Sequence, residues 1–262
     1  MIRFYIHRKN WKSLTDNKMI KHTQSFTIPC FNTDAAWRLK PSAFMDLAQE
    51  AAGLHAVYLG FGYDNLIKSN MAWILSRVNV KFIDTPLWRD GITFTTWHKG
   101  FNRLFFLRDF VMTDKEGKER VKATTSWLVL DLNTRSMVRD PQLVEEGTVC
   151  TENAIENQAD KVRMPRGVEP EHVLDHLVSY SDVDMNGHAN NAMYMQWAMD
   201  AVEYEMASKM PVKEFTINFN RELKAGETVS LCRVVVEKED GIHVFIEGKA
   251  EEASSFCVEI IF

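Results

Sequence analysis

The sequence predicts an α+β fold built from two unequal halves. Two observations carry that reading. The apolar residues switch from helical to alternating spacing twice along the chain. Each switch sits in the same order of elements: one strand, one long helix, then a run of strands. A third observation bounds it: 262 residues with 45% hydrophobic and 26% charged side chains, and only 7 Pro and 12 Gly, describe a packed globular chain. Disordered, collagen-like and low-complexity classes are excluded. A chain this long buries a sizeable core without disulfides or metals.

The elements follow in order. Residues 1–18 form an N-terminal extension with basic side chains but no apolar stretch, unlike a secretory signal; Met19 is an alternative start to Met1. The first half covers residues 19–141. Gln24 to Ile28 reads as a strand stopped by Pro29. Pro41 sits where a first-turn proline belongs, and Phe44, Leu47, Ala48, Ala51, Ala52 and His55 follow at helical spacing. That helix fades in Leu59-Gly60-Phe61-Gly62. The period then becomes two, with strands expected over Trp73 to Ile83, Gly91 to His98, Leu104 to Thr113 and Val121 to Leu132.

Residues 142–172 are rich in acids and hold no period, so they read as a surface connection that packs against something. The second half, residues 173–262, repeats the order. A strand over His176 to Ser181 leads to a helix from Asn191 to about Lys209. Its apolar face is Met193, Tyr194, Trp197, Ala198, Ala201 and Val202, with Asn190 as N-cap and Pro211 as stop. Strands over Glu214 to Phe219, Thr228 to Glu237, Ile242 to Ala250 and Ser255 to Phe262 complete it. Phe82 to Gly91 and Phe219 to Gly226 occupy matching places, which marks a degenerate internal duplication.

Charge and cysteine content narrow the function classes. The 31 basic and 36 acidic side chains leave −5, so the chain is no globally basic nucleic-acid binder, and no nucleic-acid partner is expected. Cys30, Cys150, Cys232 and Cys257 lie far apart with no CxxC pair. This predicts free thiols in a reducing, cytoplasmic setting and no metal site. Apolar runs reach about five residues, too short for a membrane span.

The densest polar cluster is Ser181-Asp182-Val183-Asp184-Met185-Asn186-Gly187-His188-Ala189-Asn190-Asn191, between a strand and the second helix. If extended, it puts Asp184, Asn186 and His188 on one face as a carboxylate, an amide and an imidazole. Singly, each has a plain structural reading: a turn cap, a tight loop, a packed histidine. Together beside Gly187 they form an acid/base candidate, and pattern alone stops there.

The run Asp184-Met-Asn186-Gly-His188-Ala-Asn190-Asn191 resembles the D-x-N-x-H-x-N-N signature of the plant-type fatty acyl-acyl carrier protein (acyl-ACP) thioesterases. Gln49-Glu50-Ala51-Ala52 with Gly60-Phe61-Gly62, Trp73 to Arg77, Pro86 to Gly91, Gly100 to Arg103 with Leu107 to Asp109, and Ser126 to Arg135 match the same family in the same order. The resemblance covers most of residues 22–262.

It implies two tandem hotdog domains, each a long central helix wrapped by a curved antiparallel sheet. It also implies thioester hydrolysis of fatty acyl-ACP, releasing free fatty acid in fatty acid biosynthesis without a cofactor. The family's catalytic aspartate, asparagine and histidine fall on Asp184, Asn186 and His188. Its catalytic glutamate, in an arginine-glutamate-cysteine stretch, falls on Glu222 of Asn220-Arg221-Glu222-Leu223. The cysteine place holds Leu223, which excludes a thiol nucleophile there and points to direct attack by water. Glu222 or Asp184 is then the base or orients the group that is; His188 and Asn186 position the water and donate to the oxyanion.

The resemblance further implies an acyl pocket in the first half, lined by Phe44, Ala48, Ala51, Ala52, Met71 and Trp73. Residues 68–139 carry net +6 while the rest carries −11. That asymmetry reads as a solvated sheet face, or as a docking face for an acidic acyl carrier protein through Arg77, Lys81, Arg89, Arg103, Arg108 and Arg135. Competing expectations are an acyl-CoA thioesterase, a hotdog dehydratase and a non-catalytic acyl-binding module. The duplication allows a monomer or a homodimer.

Overall fold

The computed structural model describes residues 20–140, 143–144 and 148–262; the expected extension 1–18 and the alternative start Met19 lie outside the described residues. The first half opens with β1 (Lys21–Thr27), α1 (Pro41–Tyr58) and the short α2 (Tyr63–Lys68). Four long strands follow: β2 (Met71–Phe82), β3 (Gly91–Asn102), β4 (Phe105–Thr113) and β5 (Glu119–Asp131), then the two-residue β6 (Met137–Val138). The second half has β7 (Glu171–Leu177), α3 (Asn191–Asp200), α4 (Tyr204–Lys209), β8 (Glu214–Phe219), β9 (Thr228–Lys238), β10 (Gly241–Ala250) and β11 (Ala253–Ile261).

Among the described residues the strands form one antiparallel sheet in the order β1-β3-β4-β5-β2-β8-β11-β10-β9-β7, with β6 beside β5. Read outward from the centre, the two halves have the same order. They meet at β2 and β8, where Val78 faces Ile217 and Val80 faces Phe215, all buried. Asn79 Nδ2 crosses this seam to Glu214 Oε1 (2.7 Å) and Thr216 Oγ1 (2.8 Å).

The central helices bury the faces their spacing predicts. In α1 these are Phe44, Ala48, Ala51, Ala52 and His55; in α3 they are Tyr194, Trp197 and Ala198. Phe44 and Trp197 are each 1% exposed, worth about 1.5–3 kcal/mol apiece in water-to-core transfer. The helices touch through Ser42 Oγ, which donates to Gln196 Oε1 (3.0 Å).

Three expectations need correction. The helix expected from Asn191 to about Lys209 breaks after Asp200. Arg233 Nη1 takes the Ala201 carbonyl at 3.1 Å, and its Nη2 pairs with Glu171 (2.7 Å) and Glu203 (3.4 Å). The guanidinium satisfies a carbonyl that the end of α3 leaves without an intrahelical partner. The strand expected over His176 to Ser181 lies earlier, at Glu171–Leu177, and Tyr180–Asp182 is a single 3₁₀ turn. There the Asp182 carboxylate takes the Ser179 N–H at 2.7 Å and curls the chain. This strand also begins inside the stretch expected as connection.

Of that connection, the described residues lie across the outer face of the sheet. Trp97 Nε1 donates to the Glu152 carbonyl (2.8 Å), Lys99 Nζ to that of Ile155 (3.0 Å), and Ala154 N to Asp109 Oδ2 (2.7 Å). Farther on, Val162 packs with Val234, Phe245 and Cys257.

Candidate active site

Asp184, Asn186 and His188 do not lie on an extended strand. Val183 bridges Ala189, Asp184 N donates to the His188 carbonyl (2.9 Å), and Gly187 N donates to the Asp184 carbonyl (3.0 Å). The result is a tight turn, and Gly187 takes its left-handed corner at φ +78°. The Asp184 carboxylate folds back on this turn, with Oδ1 accepting Asn186 N (2.8 Å) and Oδ2 facing Asn186 Nδ2 (3.3 Å). The i, i+2, i+4 spacing thus brings the three groups together through a turn closed by the aspartate itself.

The fourth residue arrives from the segment after β8. Ala189 N donates to the Leu223 carbonyl (2.8 Å), pinning that segment to the turn. His188 Nε2 then stands 3.6 Å from Glu222 Oε2, with the side chains 30% and 54% exposed. That separation is just beyond a direct hydrogen bond and within ion-pair range, and both groups are open to solvent. Leu223, in the place a thiol would need, is fully buried in the core. No cysteine belongs to the site, and burial pushes the Cys257 thiol up to about 12.

Two positioning residues escaped the sequence reading. Tyr194 on α3 accepts the Leu223 N–H (3.1 Å) and makes a long 3.5 Å contact to the Arg221 carbonyl, so it grips the backbone on both sides of Glu222. Burial pushes its phenol well up, which keeps it a neutral donor and acceptor. Asp182 is buried at the root of the turn. Its carboxylate takes His176 Nε2 (3.0 Å) and the Ser179 N–H, and its carbonyl takes Asn190 N (2.8 Å). Asn190 caps α3 as expected, accepting from Ala192 N (3.0 Å). The sequence signal for Tyr194 was its lone hydroxyl on an otherwise apolar helix face.

Two family models match the chain: the acyl-ACP thioesterase N-terminal domain over residues 19–146 and the acyl-ACP thioesterase C-terminal domain over residues 168–260. The chain belongs to the acyl-ACP thioesterase family. It is 23% identical to the chloroplastic oleoyl-acyl carrier protein thioesterase of Coriandrum sativum over 93% of this chain and 70% of that protein. It is 24% identical to the chloroplastic palmitoyl-acyl carrier protein thioesterase of Gossypium hirsutum over 76% of this chain and 51% of that one. An acyl-ACP thioesterase from Bacteroides thetaiotaomicron superposes with a TM-score of 0.82 at 25% identity, covering 93% of this chain and 98% of that one. The 12:0-ACP thioesterase of Umbellularia californica has the same fold, with a TM-score of 0.83 at 19% identity and coverages of 92% and 93%. The architecture is therefore the tandem hotdog expected.

In this acyl-ACP thioesterase family member the Asp184–His188 turn has a twin. In the first half Thr33 bridges Leu39, Asp34 N donates to the Arg38 carbonyl (2.9 Å), and Trp37 N donates to the Asp34 carbonyl (3.0 Å). Leu39 N donates to the Pro86 carbonyl (2.8 Å), as Ala189 N does to that of Leu223. Matched through these bonds, Asn186 corresponds to Ala36, His188 to Arg38 and Glu222 to Thr85. The twin keeps the backbone and one aspartate and lacks the imidazole, the amide and the second carboxylate. Arg38 instead pairs with Asp34 and donates to the Ala207 (2.7 Å) and Ser208 (3.0 Å) carbonyls of α4.

The six expected docking residues are not one face. Arg108 is 6% exposed and points into the protein, so it docks nothing. Arg89 precedes β3 and Arg103 follows it, which separates them by roughly 40 Å of strand. Arg77 lies against Phe105 (5.1 Å) and donates to the Ala159 carbonyl (3.4 Å), whereas Lys81 faces Glu214 (3.6 Å). Arg135 is exposed in the turn after β5.

The expected acyl-lining residues divide as well. Phe44, Ala48, Ala51 and Ala52 belong to the large central cluster, whereas Met71 and Trp73 pack against a separate one around Phe61, Phe106 and Val129. Two clefts of about 250 and 240 Å³ open elsewhere: one beneath the connection near Asn79 and Glu214, the other beside the twin turn near Arg38 and Tyr204. Neither is lined by Asp184, Asn186, His188 or Glu222.

Proposed function

We propose that this chain hydrolyses the thioester of fatty acyl-acyl carrier protein, releasing free fatty acid and carrier-protein thiol. Family membership supports the reaction, and the facing of His188 and Glu222 across 3.6 Å carries the site. A water held between imidazole and carboxylate would lose a proton to the pair as its oxygen adds to the carbonyl carbon. The C–S bond then breaks, and the proton passes to the leaving sulfur. Asn186 is the donor for the developing oxyanion. Both Asp184 oxygens are engaged within the turn, which supports Asp184 as the residue that orients Asn186 and Glu222 as the carboxylate of the base pair.

The acidic carrier protein is the proposed partner, approached through the exposed Lys81, Arg89, Arg103 and Arg135 rather than through a single patch. The two halves pair through β2 and β8, so a homodimer would use another face. A cytoplasmic location rests on the free cysteines. None of the described helices is long and apolar enough to cross a membrane. The Coriandrum and Gossypium relatives are named chloroplastic.

Matched acyl-ACP and acyl-CoA substrates test the reading. Higher kcat/KM on the carrier-protein thioester is expected. A clear CoA preference would make the chain an acyl-CoA thioesterase, and no turnover at any acyl length would leave an acyl-binding module.

A further inference from the structure

The interior of the first half holds two apolar clusters, which the partly buried Trp127 of β5 touches from both sides, and a polar group stands between them along α1. Ala52 of α1 belongs to the large cluster and Ala56, one turn on, belongs to the smaller one. Between them sits His55, 0% exposed, whose Nδ1 is 2.9 Å from Arg108 Nη1 on β4. The same Nη1 donates to Thr96 Oγ1 (3.2 Å) on β3. His98 pairs with Arg108 across β3 and β4, and His22 pairs with Thr96 across β1 and β3, so all four side chains share the inner face. His22 also stacks on His55, with ring centroids 6.1 Å apart.

Arg108 supplies the positive charge of this layer: burial holds His98 far below its usual range, to about 3, so its imidazole is neutral, and His55 Nδ1 accepts from Arg108. Among the described residues no carboxylate pairs with Arg108, and burial alone lowers its guanidinium to about 10. Its neighbour Asp109 points the other way and pairs with Lys99 (3.1 Å) beneath the connection. His98 is 3% exposed and its buried Nε2 has no hydrogen-bond partner; the same holds for His22 Nε2. A hydrocarbon chain pressed against such a guanidinium strips what solvation remains and offers no acceptor in return.

The catalytic backbone lies on one side of this layer. Ala189 and Leu223, which hold the turn and Glu222 together, belong to the large cluster with Phe44, Ala48, Ala51 and Ala52. Met71 and Trp73 lie beyond. We infer that Arg108, with His55 and His98, is the polar floor of the acyl pocket, so that it limits acyl chain length and leaves Met71 and Trp73 outside the pocket. This rests on the thioesterase reading above.

The test is an even-numbered acyl-ACP series from eight to eighteen carbons, with kcat/KM measured for wild type, Arg108→Met and Arg108→Lys. Methionine removes the buried charge between the two clusters; a shift of at least about 10-fold toward longer chains is expected, while lysine keeps the wild-type profile. Trp73→Leu should leave the profile unchanged alone and alter it in the Arg108→Met background. If Arg108→Met does not fold, His98→Leu is the milder variant, with a smaller shift in the same direction.

Thermal stabilisation by free fatty acids of the same lengths is the second readout. Wild type should respond up to a limiting length that Arg108→Met extends. A folded Arg108→Met with wild-type length dependence in both readouts overturns the floor. Absence of any turnover by wild type overturns the thioesterase reading instead, and the fatty-acid series then decides the floor alone.

Discussion

Tyr194 shows how a single atom holds the site. Its hydroxyl touches the backbone before and after Glu222, so Tyr194→Phe leaves the buried Leu223 N–H without an acceptor. The expected cost is about 1–3 kcal/mol of stability. As a positioning residue it should lower kcat by about 10-fold with little change in KM; equal kcat would reduce Tyr194 to a structural role. Residue-scale legibility was uneven. Asp184, Asn186 and His188 stand out in the sequence because polar groups crowd one short junction, whereas Glu222 is singled out by the family resemblance alone. Their geometry was misread, because alternate residues share a face in a strand and also converge in an aspartate-closed turn. Arg108 was misplaced on the surface for a different reason. Phe105-Phe106-Leu107-Arg108-Asp109-Phe110 is apolar on both faces, since the connection covers the outer one, and no parity told which way the arginine points.

At the scale of elements, α3 and α4 are held by arginines from elsewhere. Arg233 takes the carbonyl where α3 ends, and Arg38 takes those where α4 ends. The break between the helices was illegible because Tyr194 to Val202 keeps helical apolar spacing through it, and the arginine that takes the Ala201 carbonyl lies on β9. Arg38→Ala should therefore destabilise by about 1.5–3 kcal/mol, the range for hydrogen bonds to a charged group, read from denaturant midpoints. Unchanged midpoints would mean that water caps α4 equally well. The Gly187 corner makes a second prediction. A Cβ on Gly187 meets nothing within 4 Å, so Gly187→Ala should cost only the left-handed backbone term of about 1–2 kcal/mol. The twin turn supports this, since Trp37 holds φ +66° at the same place.

Across the whole molecule, the succession of elements was the most legible feature, because the same alternation recurs after each helix; the order of strands in the sheet and the pairing of β2 with β8 come from the structure. The buried basic layer was not legible, since it assembles from β1, α1, β3 and β4. It also gives a pH dependence. Burial first, then Arg108 and His55, lower His98 from 6.5 to about 3. Between those values the unfolded chain binds more protons at this site than the folded one, so stability is full above 6.5 and falls on acidification toward 3. Burial first, then the same arginine, lowers His22 too. His98→Phe should flatten the acid limb by up to about 1.4 kcal/mol per pH unit in that window, read from urea midpoints at a series of pH values. An unchanged slope would show that His98 does not titrate with folding.

The central claim is that one turn, with a glutamate brought to it by the following segment, performs thioester hydrolysis while its twin does not. The direct measurement is acyl-ACP hydrolysis by wild type, His188→Ala, Glu222→Gln and, as the twin control, Thr85→Ala, each checked for an unchanged melting temperature. Loss of at least about 100-fold in kcat for the first two variants, with Thr85→Ala at the wild-type rate, is the predicted result. Wild-type turnover in folded His188→Ala or Glu222→Gln would contradict it.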